Sequence, residues 1–168
     1  MKFEKVSLNQ FLKDYAKAKV AGRELTEDEV KEATKYYNDI ELPKRSTSGS
    51  AGYDFFIPYT QWFSDIDDVL IPTGIRFKCD SDKFLMCVPR SGLGFKYGMH
   101  LKNSVGVIDS DYYNSDNEGH IMCKVNCDEH FTLEKGKGLM QGIILPYFKV
   151  EDDESEVVRN GGFGSTGM

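Results

Sequence analysis

The sequence has no surplus of positive charge: 21 Lys and Arg stand against 27 Asp and Glu, for a formal net charge of −6. A protein that coats a duplex needs a basic face to release counterions, so nucleic acid is excluded as a partner. One small polyanion is not excluded, because two or three local cations suffice to hold it. No run of 18 apolar residues occurs, which excludes a membrane-spanning helix and a membrane partner with it. The opening residues MKFEKVSLNQ contain no apolar h-region. The chain therefore reads as cytoplasmic, and its four cysteines, Cys79, Cys87, Cys123 and Cys127, as reduced thiols. Neither Cys79/Cys87 nor Cys123/Cys127 has a common zinc spacing, and the three histidines lie far apart. Buried or half-buried structural cysteines are the expectation. A Gly-x-x-x-x-Gly-Lys-Ser/Thr string is also missing, which excludes a P-loop.

The chain has 168 residues, 40% of them hydrophobic, enough for one core without staples or metals. A single domain over residues 1–150 is predicted, followed by a linker and tail at 151–168. Lys2-Phe3-Glu4-Lys5-Val6 alternates like an edge strand. Ser7 with Gln10 reads as a capping box, followed by Phe11, Leu12, Tyr15 and Ala16 at helical spacing. Thr26 with Glu29 reads as a second, followed by Val30, Ala33, Tyr36 and Tyr37, with Gly22 between the two. Residues 7–39 are therefore predicted to form two short helices, which must dock on something larger.

From about residue 43 to 149 helical spacing disappears. Short apolar runs alternate with Gly, Pro, Asp and Asn: Tyr53–Ile57, Val69–Ile71, Ile75–Cys79, Phe84–Val88, Val105–Ile108, Ile121–Val125 and Leu139–Leu145. Many short strands between frequent turns predict an all-β sandwich or barrel. The acidic block Glu151-Asp152-Asp153-Glu154 with Glu156 reads as a solvated linker, and the glycine-rich end from Arg159 to Gly167 as a segment that orders on a ligand.

Five segments carry chemistry. Pro89-Arg90-Ser91-Gly92-Leu93-Gly94 combines a cation, a hydroxyl and close-approach glycines, which suits phosphate oxygens; the same residues also make a tight exit from a strand. Arg159, Gly161–Gly164, Ser165 and Thr166 repeat that chemistry, with Phe163 among glycines as a docking anchor or a stacking lid. Asn103-Ser104-Val105-Gly106-Val107-Ile108-Asp109-Ser110-Asp111-Tyr112 is a hairpin whose backbone can present donors and acceptors to a base. Asp109 there either orients a water for attack or, with Asp111, serves as an ordinary turn residue. In Ser48-Gly49-Ser50-Ala51-Gly52-Tyr53-Asp54, the carboxylate of Asp54 suits the water shell of Mg2+. Lys135-Gly136-Lys137-Gly138 reads as a turn, with Gln141 a polar group on an apolar strand.

In order and kind these segments resemble the five motifs of the homotrimeric dUTP pyrophosphatase (dUTPase) family. Ser50–Asp54 resembles the first, Pro89–Leu93 the second, Gly106–Tyr112 with Asn103 the third, Lys135–Gln141 the fourth and Gly161–Gly167 the fifth. The resemblance covers about residues 40–168, with Met1–Val6 matching the opening strand. It implies a jelly-roll-like β-barrel, a homotrimer with shared active sites, and hydrolysis of dUTP to dUMP and pyrophosphate with Mg2+ as cofactor. Such an activity keeps uracil out of DNA and supplies dUMP for thymidylate synthesis. By the same resemblance Asp109 activates the attacking water, Tyr112 lies against the deoxyribose, and Asn103 with Gly106–Ile108 reads uracil. Arg90, Ser91, Gly92 and Gln141 hold the phosphates, and Asp54 meets the metal through water. Phe163 and Gly164 cover the base, while Arg159, Ser165 and Thr166 meet the terminal phosphates.

The chain departs from that pattern in four places, one of them Arg159, which lies one residue closer to Phe163 than in the commonest form. Tyr113–His120 forms a longer loop after Tyr112, Gly138-Leu139-Met140 precedes Gln141, and the helices at 7–39 interrupt the opening. A dCTP deaminase, which resembles the same family, is the enzymatic alternative, and Glu118 is its nearest catalytic glutamate. A nucleotide-sensing regulator is the other alternative, with 7–39 as its surface for a protein partner.

Overall fold

The structure, a computed structural model, describes residues 1–153. It begins with β1 (Lys2–Lys5), α1 (Leu8–Lys19) and α2 (Glu27–Asn38). Next come β2 (Gly52–Phe56), β3 (Gln61–Phe63), β4 (Val69–Pro72), β5 (Ile75–Lys78) and β6 (Lys83–Pro89). After these follow α3 (Ser91–Tyr97), β7 (His100–Leu101) and β8 (Gly106–Ile108), then a 3-10 turn at Ser110–Asn114. Strands β9 (Met122–Asn126), β10 (Phe131–Leu133) and β11 (Gly138–Pro146) complete the described residues. Each of the seven apolar runs forms a strand.

The fold is β-rich with few helices. Hydrogen bonding divides its strands into four sheets, ordered β1-β5, β10-β3, β2-β11-β6-β8 and β4-β9-β7. All pairings are antiparallel. The four-stranded sheet frames the site. Gln141 of β11 sits opposite both Asp54 of β2 and Val88 of β6. On the other side of β6, Leu85 faces Ile108 and Cys87 faces Gly106. Three of the four cysteines are buried and Cys79 is half-buried; all four are free thiols.

The segment 89–94, which the sequence offers as a phosphate-binding turn or a tight exit from a strand, runs into a helix over Ser91–Tyr97. Two glycines give this segment poor intrinsic propensity. Packing compensates: Leu93 is buried, and the Tyr97 ring stacks on Phe131 with centroids 3.9 Å apart.

The helices at 7–39 form as predicted, with one difference at the first cap. The Thr26 box is complete: Thr26 N–H donates to Glu29 Oε2 at 2.8 Å and Glu29 N–H to Thr26 Oγ1 at 3.3 Å. At α1, Ser7 Oγ accepts from Gln10 N–H at 3.1 Å, but Gln10 does not reach back. Instead Glu118 accepts from Ser7 N–H at 2.7 Å and from Ser7 Oγ at 2.6 Å. At the other end of the pair, Lys5 Nζ donates to the carbonyls of Tyr37 (3.0 Å) and Asn38 (3.1 Å), placing a cation where the α2 dipole is negative.

Helix α1 buries an aromatic face and, unexpectedly, a polar one. Phe11 and Tyr15 join the apolar cluster that includes Ala33, Tyr59 and Ile71. On the same side Gln10 and Asp14, one turn apart, are buried as well. Gln10 Nε2 donates to Asp14 Oδ2 at 2.7 Å, and His120 Nδ1 lies 2.7 Å from the same oxygen. His120 Nε2 accepts from Gly74 N–H at 2.7 Å, which places the imidazole proton on Nδ1, facing Asp14. Gly74 has φ +75°, and a Cβ there would meet Ile40 Cδ1 at 2.3 Å, so only glycine permits this contact.

Burial alone would raise the Asp14 pKa, yet the hydrogen bonds from His120 and Gln10, aided by Lys17, hold it below the ordinary carboxylate value. A depressed carboxylate stabilises the fold above its unfolded pKa, and that contribution is lost as pH falls through the lowered value. Urea unfolding of the wild type and of Asp14→Asn should therefore show a stability gap that is full near neutral pH. The gap should shrink as pH is lowered below about 4. A gap independent of pH would contradict the ionised Asp14 pairing.

Candidate active site

Strand β8 ends the four-stranded sheet, so among the described residues one of its edges meets no other strand. Its alternating N–H and C=O groups on that edge are available to a ligand. Beside it opens a cavity of about 450 Å³ whose lining includes Asn103, Gly106, Val107, Ile108 and Tyr112. That is the size of a small-ligand pocket. A Cβ on Gly106 would lie 3.1 Å from Cys87 Cβ, so glycine lets β8 approach β6 closely. Cys87 and Cys123 line the same cavity. Burial pushes the Cys87 thiol up to about 12 and raises Cys123 too, so both act as apolar wall rather than as nucleophiles. Lys102 and Lys124, both exposed, contribute to its rim.

Tyr112 is buried, with its ring in the cavity wall. Its hydroxyl donates to the His120 carbonyl at 2.8 Å and accepts from Asn117 Nδ2 at 2.7 Å. The residues predicted to read a base and its sugar, Asn103, Gly106, Ile108 and Tyr112, are thus brought together in one cavity.

The predicted phosphate-side residues form a second cluster. Asp54 Oδ1 accepts from Gln141 Nε2 at 3.0 Å and lies 3.4 Å from Arg90 Nε. Asp54 is buried, whereas the Arg90 side chain is 41% exposed, leaving part of its guanidinium open to an incoming anion. Gly138 makes room for it: a Cβ there would meet Arg90 Nη1 at 2.3 Å. Ser91 and Gly92, exposed in the first turn of α3, adjoin Arg90.

Asp109 is set apart from the phosphate-side cluster within the chain, whereas the cavity beside β8 borders that cluster through Met140, the neighbour of Gln141. Ile108 pairs with Leu85, five residues along β6 from Arg90, and Asp109 lies one step beyond Ile108. At about 3.3 Å per residue this separates Asp109 from Arg90 by roughly 20 Å. Asp109 instead lines a different cavity of about 470 Å³, with Phe84, Val107, Ser110, Asp111 and Tyr147. Arg159, Phe163, Gly164, Ser165 and Thr166 lie outside the described residues.

Glu118, the glutamate a deaminase would need, is engaged by both donors of Ser7 at the start of α1. His120, Asn117 and Asp14 behind Tyr112 were not anticipated from the sequence. The one signal available was the i, i+4 placement of Gln10 and Asp14 beside Phe11 and Tyr15 on the helix face.

Comparison with known proteins shows which family the chain is similar to. The dUTPase family model matches residues 38–167, beginning where the two helices end. The deoxyuridine 5'-triphosphate nucleotidohydrolase of Lactococcus lactis subsp. lactis is 44% identical over 140 residues, 80% of this chain and 93% of that protein. The enzyme of the same description from Hahella chejuensis is 40% identical, over 77% of this chain and 89% of its own length. Among solved structures, the dUTPase from Streptococcus mutans superposes with TM-score 0.60 at 38% identity, covering 66% of this chain and 88% of that one. With most of its length matched by the family model and by relatives of this similarity, the chain belongs to the dUTPase family.

Proposed function

We propose that the chain hydrolyses dUTP to dUMP and pyrophosphate in a homotrimer whose active sites are each built from more than one copy. The observation that carries this reading is the roughly 20 Å between Asp109 and Arg90 along β6. One triphosphate cannot touch both residues of one chain in a compact site. A second copy that sets its Arg90 end against the β8 end of the first removes the conflict. The four sheets then act as the wall of a jelly-roll-like barrel, and α1 and α2 as an addition to it. We place the protein in the cytoplasm, where buried thiols stay reduced, with dUMP supply and exclusion of uracil from DNA as its role.

In this reading uracil enters the cavity beside β8. Backbone groups of Gly106–Ile108, with Asn103, pair with its edge, and a cytosine would leave buried groups unpaired. Discrimination of this kind reaches about 10⁴–10⁵. The Tyr112 ring stands against the deoxyribose and leaves no room for a 2′-hydroxyl. Asp109 accepts a proton from water as the water oxygen bonds to the α-phosphorus. The bond from that phosphorus to the bridging oxygen breaks, and pyrophosphate leaves. Arg90, Ser91, Gly92 and Gln141 of the second copy hold the phosphate chain. Phe163 and Gly164 cover the base, while Arg159, Ser165 and Thr166 meet the terminal phosphates.

A Mg2+ ion fits these residues as a companion of the substrate. Among the described residues no group of three His, Cys, Asp or Glu could hold an ion by itself. Asp54 is one buried carboxylate already hydrogen-bonded to Gln141, suited to a water of an ion that arrives on phosphate oxygens. When bound, the ion neutralises phosphate charge.

Pyrophosphate release should be seen with dUTP and Mg2+, and far less with dCTP, dTTP or UTP; no release from dUTP would refute the assignment. Asp109→Asn should lower kcat by roughly 10²–10⁴ while dUTP still binds, so unchanged turnover would remove Asp109 from the chemistry. Truncation after Asn160 should leave the trimer intact and abolish most activity, as read by size-exclusion chromatography and turnover. Sharing of sites is tested by co-refolding Asp109→Asn with Arg90→Ala. Random mixing should restore wild-type residues to about a quarter of the sites, whereas sites built within one chain would recover nothing.

A further inference from the structure

We infer that Asp14 of α1 is a positioning residue for Tyr112, and that the two added segments of this chain, 7–39 and 113–120, together set its selectivity for deoxyribose. The inference rests on the placement of Tyr112 against the sugar proposed above.

The path is short and hydrogen-bonded throughout. The Tyr112 hydroxyl is held between the His120 carbonyl at 2.8 Å and Asn117 Nδ2 at 2.7 Å. The Asn117 carbonyl in turn accepts from His120 N–H at 3.1 Å. His120 is fully buried, and its two ring nitrogens are both engaged, one by Gly74 N–H and the other by Asp14 Oδ2, each at 2.7 Å. Asp14 is the only one of these groups supplied by the helical addition. Gln10 Nε2 fixes the Asp14 carboxylate at 2.7 Å from the preceding turn of α1.

The loop has a second anchor on the same segment, where Glu118 takes both donors of Ser7. Its left-handed residues, Glu118 at φ +58° and Gly119 at φ +70°, show that the chain turns sharply to bring His120 beneath Tyr112. A Cβ on Gly119 would meet Tyr113 Cα at 2.7 Å, so the loop is tightly folded on itself.

A phenol ring excludes a 2′-hydroxyl only if it cannot retreat, and a support that is loose by about 1 Å loses that exclusion. Removing the Asp14 carboxylate leaves the buried His120 Nδ1–H without an acceptor. The carbonyl that holds the Tyr112 hydroxyl is then free to shift. The effect falls on selectivity more than on the chemical step, because neither Asp14 nor His120 touches the reacting phosphorus.

Asp14→Ala, Asp14→Asn and Tyr112→Ala are compared in the full chain by the ratio of kcat/KM for dUTP to that for UTP, with thermal unfolding and oligomeric state as controls. Asp14→Ala should lower the ratio by about tenfold or more, chiefly through easier acceptance of UTP. Asp14→Asn, which keeps an oxygen acceptor for His120, should restore most of the ratio even if its melting temperature stays reduced. A folded Asp14→Ala protein with an unchanged ratio, beside a Tyr112→Ala protein whose ratio collapses, overturns the inference and leaves the sugar contact standing. An unchanged ratio in Tyr112→Ala removes the sugar contact and the inference with it. Should Asp14→Ala fail to fold, Asp14→Leu fills the space while still denying His120 Nδ1–H its acceptor, and an unchanged ratio there is equally fatal.

Discussion

Strand β6 sets the geometry on which the molecule depends. It is paired along its length with β11 and, over its central residues, with β8 on the other side. Both registers are antiparallel, and a slip of one residue would turn every side chain to the wrong face. Gly142, opposite Cys87, marks how tightly the crossing is packed: a Cβ there would lie 2.9 Å from both Leu85 Cδ1 and Phe55 Cε2. With those pairings in place, Arg90 and Gln141 fall at one end of β6, and Ile108 with Asp109 at the other. The separation of Arg90 from Asp109 is thus a consequence of strand geometry.

Much of this was legible in the sequence, and the missing part has a common physical cause. The helices, the longer strands and the segments that line the cavity beside β8 rest on local signals: capping residues, apolar runs, a glycine beside a carboxylate. Strands β3, β7 and β10 are two or three residues long, too short for alternation to register. Helix α3 contradicts its own glycine content and is held by Leu93 and by the Tyr97–Phe131 stack, contacts made at a distance in sequence. The half-formed cap at Ser7 is completed from residue 118, and nothing near Ser7 indicates it. The motif residues were found by their order along the chain. The distance between Asp109 and Arg90 appears only once register is known.

Segments 7–39 and 113–120 depend on one another. Helix α1 brings a carboxylate, Asp14, into the interior, and the loop at 113–120 brings an imidazole, His120. Either alone would be a buried polar group without its partner, a loss of about 3–5 kcal/mol when one member of such a pair is removed. Together they satisfy each other, and Gln10 and Gly74 take up the remaining bonds. Apolar residues of the same volume would serve stability as well, so stability alone does not account for the pair. What it adds is direction. A hydrogen-bonded imidazole has one orientation, whereas a leucine in its place would have several packings. The carbonyl of His120 meets the hydroxyl of a residue in the cavity wall. An orientation fixed between helix and loop is therefore passed to a residue that lines the cavity beside β8.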